Sequence, residues 1–441
     1  MNKQSVFILS LAFILISMTF WGLSKKNFSV SSGKVALIYS GNLNGELEPC
    51  GCSVEGNFGG VRRLSTMLKQ LRNKDPDLLL ISSGGLIVSN MPQDQLTSQA
   101  IMQGIKLQKY NAIGVQWQDL SYGKDFIAKQ GLPWVVSNPK TGQIVSPSQI
   151  FDNNQIFVEF FSWLDPKISP FIKMSGSNQW VNNDLQQLST ALKKAKQQQR
   201  LTILSSTYSL EKSQQLLPLK WVDILLIRSK HEVFGEPKLL KNNGHNLLVL
   251  EPGSRGMRIA KLQLTINHSK IDSFQHEVIA LPESIKDDPE LANWYHTYNE
   301  KVKVNYKKRV QLKKRQRSGE SPFVGAKKCK ACHLQQYKIW KKSPHSQAMD
   351  SLIQVDKSLD PNCIKCHSVG FEKEGGYLDD MLTFHLGNVQ CESCHNAGRD
   401  HLKSSLKTES LKADKTTCLQ CHNHQHSPAF DFEKYWSKIK H

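Results

Sequence analysis

The chain has 441 residues, 39% of them hydrophobic and 22% charged, with ten cysteines and fifteen histidines. That length exceeds one ordinary domain, and the composition excludes a disordered, collagen-like or polytopic membrane chain, because only one apolar run is long enough to meet a bilayer. The formal charge of +19 invites a nucleic-acid reading, but its densest contribution is local: Lys301 to Arg317 holds nine Lys or Arg, no acid, and no series of interleaved aromatics to stack on bases. No nucleic-acid partner is expected.

Taken in chain order, the weakly basic start Met1-Asn-Lys-Gln is followed by Ser5 to Leu23, which carries no charge and is rich in Phe, Ile and Leu. This is an export signal. Its length, and the lack of a small-x-small cleavage site before Ser24-Lys25-Lys26, favour an uncleaved inner-membrane anchor over a removed peptide and place the remainder in the periplasm. From residue 34 to about 283, strand and helix patterns alternate. Lys34-Val-Ala-Leu-Ile-Tyr reads as a buried strand, Val61, Leu64, Leu68 and Leu71 mark one helical face, and Leu78 to Ile81 reads as the next strand. The theme recurs in Leu185, Leu188, Leu192 and Ala195, then in strands at Leu201 to Leu204 and Val222 to Ile227, and closes after Arg258 to Ile266. An α/β sheet domain follows from that alternation. Residues 284–321 read as a basic linker or exposed helix.

Residues 322–441 differ in kind. They hold eight of the ten cysteines and ten of the fifteen histidines but few aliphatic side chains, so something other than an ordinary core must organise them. The eight cysteines form four CxxCH motifs: Cys329, Cys332, His333; Cys363, Cys366, His367; Cys391, Cys394, His395; and Cys418, Cys421, His422. Chance gives on the order of 0.01 such motifs per chain. Two thiols at this spacing add to the vinyl groups of one haem, and the adjacent histidine binds its iron, so four covalent haems c are expected. A disulfide framework or a zinc site uses paired cysteines but leaves four adjacent histidines unexplained.

A second axial ligand decides whether an iron is closed and suited to electron transfer or open to a substrate. His345, His385, His401, His424, His426 and His441 are available, with His345 and His401 the leading candidates. His424 and His426 follow their own motif too closely to reach the far face of the same haem, though they can serve a neighbour. Met349 and Met381 are possible thioether ligands.

The C-terminal segment resembles the cytochrome c-554 family of tetrahaem cytochromes. The matching residues are Phe323-Val-Gly-Ala with the first motif, then Tyr337, Trp340, Ser343, His345 and Ala348, and Cys391-Glu-Ser-Cys-His with Gly398 and His401, while the tail from Ser427 to His441 resembles that of related multihaem proteins. The resemblance implies a small, mostly helical domain of closely stacked haems that relays electrons, with one iron sometimes five-coordinate. The chain departs from the pattern at Asn396-Ala397, where such proteins often carry Gly-Pro.

Residues 34 to about 283 resemble the calcineurin-like metallophosphoesterase domain of exported nucleotidases. The framework runs through Ser40-Gly-Asn-Leu-Asn-Gly, Gly59-Gly-Val-Arg-Arg-Leu, Leu79-Leu-Ile-Ser-Ser-Gly-Gly-Leu, Tyr110-Asn-Ala-Ile-Gly-Val and a block from Asp223 to His231. That family holds two metals that activate water and neutralise phosphate charge. Here its Asp-x-His-Gly falls on Asn42-Leu-Asn44-Gly45, its Gly-Asp on Gly84-Gly85, its Gly-Asn-His-Glu on Gln116-Trp117-Gln118-Asp119, and its Gly-His-x-His on Arg228-Ser229-Lys230-His231. Only His231 survives as a ligand, so the resemblance implies a scaffold without the dinuclear centre. Cys50 and Cys52, one residue apart in a glycine-rich loop, could be a reducible pair, a soft-metal site, a repurposed ligand site or an oxidised pair without a role.

The sequence therefore leads to an exported, anchored electron carrier with periplasmic redox partners and a phosphoesterase-like docking or sensing domain. A haem enzyme acting on a small nitrogen or sulfur compound at a five-coordinate iron is the alternative, and a phosphohydrolase ranks behind both.

Overall fold

The computed structural model describes residues 32–49, 53, 56–87, 92–140, 145–167, 180–242, 245–404 and 412–441. The expected anchor at 5–23 and the loop bearing Cys50 and Cys52 lie outside the described residues. Within them no helix is long and apolar enough to cross a membrane.

The run of apolar residues at Gly33–Ser40 (β1) has no polar face, and its position explains why. β1 pairs in parallel with β2 (Leu79–Ser82) and antiparallel with β11 (Arg258–Asn267), so it is central in its sheet. Alternate residues serve two cores: Ile38 packs towards helices, while Val35, Leu37 and Tyr39 face a second sheet. The first sheet continues through β3 (Ala112–Gly114) and β4 (Trp134–Val135) on one side and β12 (Lys270–Ala280) on the other, in the order β12-β11-β1-β2-β3-β4.

The second sheet has the order β5-β6-β7-β8-β10-β9, formed by Ser148–Asn153, Ile156–Trp163, Leu201–Ser206, Ile224–Leu226, His245–Leu250 and Lys238–Asn242 respectively. Val158, Phe160, Ile203 and Leu248 meet the first sheet in the shared core. Helices close both outer faces. Helix α1 (Val61–Lys74) and α2 (Pro92–Leu107) cover the first sheet, and Leu188, Leu192 and Ala195 of α3 (Leu185–Gln197) cover the second. The result is a four-layer domain of helices, sheet, sheet and helix.

The segment expected as a basic linker or exposed helix contains a 25-residue helix, α4 (Ala292–Gln316), that is anchored at both ends. Near its start, Trp294 Nε1 donates to the Ala100 carbonyl of α2 at 3.1 Å and Tyr298 is buried against the first core. Further along, Tyr306 and Val310 enter a C-terminal core with Phe323, Met349, Leu352, Ile364, Tyr377 and Leu386. That compact apolar core around the second motif exceeds what the composition led us to expect. Past Glu392 the expectation holds, for none of the described residues beyond it is buried.

Candidate haem sites and a closed cleft

A helical turn explains the spacing of each motif. Residues i, i+3 and i+4 share one face, which brings two sulfurs and the imidazole to the same side. The first motif begins on Ala326–Cys329, and the His333 amide donates back to the Cys329 carbonyl at 2.9 Å. The second lies on Pro361–His367, capped by Asp360, whose carboxylate accepts from the Asn362 amide at 3.0 Å. The third is Cys391–His395, and the fourth begins on Lys415–Leu419 with Asp414 as cap.

Three of the motif histidines face a second imidazole. Ring centres are 6.3 Å apart for His333 and His401, 6.1 Å for His422 and His345, and 5.8 Å for His395 and His441. An imidazole nitrogen lies about 2.0 Å from a metal it binds and the ring centre about 1.2 Å further, so rings on opposite sides of one iron are about 6.4 Å apart. The observed spacings fit that arrangement. The absence of buried residues after Glu392 fits it as well, since a porphyrin supplies the apolar bulk the chain lacks there.

His367 differs. Its Nδ1 lies 2.6 Å from the Ala348 carbonyl, which takes the ring's N–H and leaves Nε2 free to bind a metal. Among the described residues no second imidazole stacks against it. His385 meets the edge of Phe384 at 5.8 Å rather than a motif histidine, and Nε2 of His424 lies 3.5 Å from Glu232. His426 is tied to Asn423 through its backbone amide. Met349 is buried in the C-terminal core, whereas Met381 is 90% exposed. Burial, reinforced by repulsion from His422 and His367, pushes the His345 pKa down and favours the neutral ring, the form able to bind a metal.

The motifs also meet one another. Cys329 lies close enough to Cys391, Cys421 to Cys366 and Cys394 to Cys418 for the second thiol of each pair to shift the ionisation of the first. Burial is the main reason the Cys394 thiol is pushed up to about 11. Motifs one, three, four and two thus form a continuous series.

Sequence reasoning gave no role to Glu392, inside the third motif. Its buried carboxylate accepts from the amides of Val324, Gly325 and Gly398 at 3.0, 2.7 and 2.7 Å, pinning the approach to the first motif against the third. A buried acid among three amides has no contiguous signature. At the departure, Asn396 has φ 64° and ψ −179°, outside the left-handed helical well and in a region that glycine enters far more easily than any other residue, which fits the glycine usual at this position of the pattern.

In the α/β domain the positions that would hold two metals are bonded to each other. Gln116 Nε2 donates to Asn42 Oδ1 at 2.5 Å, and Gln118 Nε2 to Asn44 Oδ1 at 3.2 Å. The buried Asp119 carboxylate accepts from the amides of Gly85, Leu86, Gln116 and Ile87 at 2.7, 2.7, 2.9 and 3.3 Å. Burial outweighs these bonds and pushes its pKa up to about 6. Gly85, φ +79°, has no room for a side chain: a Cβ would stand 2.7 Å from Asn42 Cγ and 2.9 Å from Gln118 Nε2. His231 is exposed, whereas Gln116 and Asp119 of this amide cluster are buried. Among the described residues no group of three or more His, Cys, Asp or Glu could hold a metal ion.

A family model described as cytochrome c554 and c-prime matches residues 328–396. Cytochrome c-554 of Nitrosomonas europaea is 37% identical across 23% of this chain and 50% of its own length. The C-terminal region is cytochrome c554-like. The chain thus spans about half of that relative. For the α/β part, a 5'-nucleotidase precursor from Thermus thermophilus superposes with a TM-score of 0.53 at 15% identity, covering 62% of this chain and 59% of that one. The sulfate thiohydrolase SoxB of the same organism, solved with glycerol, gives 0.50 at 12% identity, covering 60% of each chain. At these identities the likeness is one of fold. The mixed α/β domain is phosphoesterase-like, and the cytochrome c554-like region follows it.

Proposed function

We propose that the protein is an exported, periplasmic carrier that passes electrons through four haems c, held to the inner membrane by residues 5–23. Cys329 and Cys332, Cys363 and Cys366, Cys391 and Cys394, and Cys418 and Cys421 bind the haems through thioethers. His333, His367, His395 and His422 are the proximal ligands, and His401, His441 and His345 the distal ligands opposite His333, His395 and His422. Haem c supplies a one-electron ferric–ferrous couple. The observation that carries this reading is the spacing of three imidazole pairs at 5.8–6.3 Å. The phosphoesterase-like domain acts without hydrolysis, as a docking or sensing module for periplasmic redox partners, because amides replace its metal ligands and close upon each other.

A second reading rests on His367, whose ring has a carbonyl on one nitrogen and no opposing imidazole among the described residues. It makes this motif a site where a small nitrogen or sulfur compound is oxidised or reduced. Both readings are tested on the exported holoprotein by haem quantification and by reduced spectra with and without carbon monoxide. Four haems per chain are expected. Fewer than four would sink the tetrahaem carrier. A carbon monoxide shift from one haem in four supports the enzyme reading, and no shift removes it.

A further inference from the structure

The first motif stands in a setting unlike the other three. Lys327, Lys328, Lys330, Lys338, Lys341 and Lys342 are all exposed, and no Asp or Glu occurs from Ser321 to Met349. None of these lysines forms an ion pair among the described residues; Lys330 and Lys341 instead lie over the rings of Tyr337 and Trp340, at 5.4 and 6.0 Å. Within this ring of charge sit two exposed apolar side chains, Leu334 at 44% and Ile339 at 38%. Cys332 and His333 are exposed too, whereas every other motif cysteine and histidine is partly covered by polypeptide.

The flanks of the second and fourth motifs are turned inward. Lys357 pairs with Glu48 at 2.5 Å, and Gln425 donates to Glu46 at 2.8 Å, both acids belonging to the phosphoesterase-like domain. The basic run on α4, the densest in the sequence, is also partly committed, since Lys303 pairs with Asp356 and Arg309 with Glu372. Lys301, Lys307, Lys308, Lys314 and Arg315 of α4 are also exposed and form no ion pair among the described residues, but only the lysines of the first motif flank the motif cysteine and histidine that the polypeptide covers least.

We propose that this lysine-ringed face at the first motif is the docking surface for an acidic electron-transfer protein. The inference rests on the electron-carrier reading. Six unpaired positive charges steer an acidic partner and raise its association rate, while the small apolar centre supplies the dry contact on which a short-lived complex settles. The charge also fits an anionic lipid surface. The apolar centre surrounded by charge at a motif that electrons must reach favours the protein partner.

The test uses the full-length holoprotein and an acidic plant-type [2Fe–2S] ferredoxin as probe, with binding of the oxidised ferredoxin read by biolayer interferometry over a range of ionic strengths. Charge reversal at Lys327, Lys338 and Lys342 (K327E/K338E/K342E) is expected to weaken binding about tenfold or more at low salt and to flatten its salt dependence. The control K129E/K193E/K194E, which reverses three exposed lysines of the other domain, is expected to bind as the unsubstituted protein does. Equal losses in both variants, or salt-independent binding, would overturn the proposal. So would capture by phosphatidylserine-containing vesicles that the first variant abolishes while ferredoxin does not bind. Haem content and dithionite-reduced spectra of all three proteins are recorded alongside. Their failure would sink the carrier reading itself, whereas intact haems without charge-dependent binding sink only the docking surface.

Discussion

At the scale of single residues, the pairing of imidazoles is the observation with the sharpest chemical consequence. His345 lies 6.1 Å from His422, and Phe430 stacks on the His422 ring at 4.9 Å between ring centres. On the proposed ligation, replacing His345 with Ala removes one ligand and leaves the motif thiols untouched. The expected result is one more carbon monoxide-binding haem per chain than in the unsubstituted protein, with the haem count unchanged. His401→Ala predicts the same gain through His333. An unaltered carbon monoxide difference spectrum in His345→Ala would show that His345 is not the distal ligand. Asp119 makes a different kind of prediction, because its role is to hold loops and not a metal. In Asp119→Asn one amide oxygen must replace a carboxylate that serves four backbone donors, a loss of about 2 kcal/mol. Its pKa rises from 3.8 in the unfolded chain to about 6 in the fold. The folded state then holds the proton more tightly, so the stability Asp119 contributes is complete below the unfolded value and falls as pH rises through about 6. Urea midpoints should accordingly show a wider gap between the two proteins near about pH 5 than near about pH 7.5. A gap that widens on the alkaline side would refute the assignment.

At the scale of elements, legibility followed from how local the cause is. The CxxCH helices could be read because the chemistry needs neighbouring residues in one turn. β1, α1 and α3 could be read because period-two and period-3.6 burial leaves its mark on consecutive residues. The imidazole pairs could not be assigned, since His345 meets His422 only through the fold, and histidines in excess left several choices open. The amide cluster was half legible: the loss of metal ligands was evident, but not that Gln116 and Gln118 would bond Asn42 and Asn44 from another loop. Helix α4 was harder still. Its lysines conceal the spaced apolar residues Tyr298, Tyr306 and Val310, so it read as solvated while serving two cores. Tyr306 is 3% exposed and its hydroxyl donates to the Leu378 carbonyl. Tyr306→Ala should cost about 3 kcal/mol, and Tyr306→Phe, which keeps the ring, about 1 kcal/mol. Calorimetry of the holoprotein distinguishes the two. Equal losses would mean that the hydrogen bond, and not the ring, secures α4 to the cytochrome part.

At the scale of the whole molecule, the loop that would carry metal ligands in a phosphoesterase holds the two domains together. The amides of Leu43 and Asn44 donate to the Gly85 carbonyl, each at 2.9 Å, which fixes the loop to the cleft. A few residues on, Glu46 bonds Arg255 and Gln425, while Glu48 accepts from Tyr295 and pairs with Lys357. Lys357 lies 3.7 Å from Asp360, the cap of the second motif helix, so the cleft loop reaches that motif through one ammonium group. Burial works against this charge, but Glu48, Tyr295 and Asp360 outweigh it and hold the Lys357 pKa above its usual range. The sign of the linkage follows: the pair's contribution is fully present below the unfolded value of 10.5 and is lost only as pH rises through the higher folded value. Glu48→Gln leaves Lys357 with a weaker partner in a poorly solvated site and should cost about 2 kcal/mol at neutral pH. Replacing both residues in Glu48→Gln/Lys357→Met removes the stranded charge, and most of that loss should return. In calorimetry, Glu48→Gln is expected to separate the unfolding of the cytochrome part from that of the sheet domain, and the double variant to merge them again. If Glu48→Gln leaves a single transition at the same temperature, the interface is held elsewhere, and the cleft loop does not couple the domains.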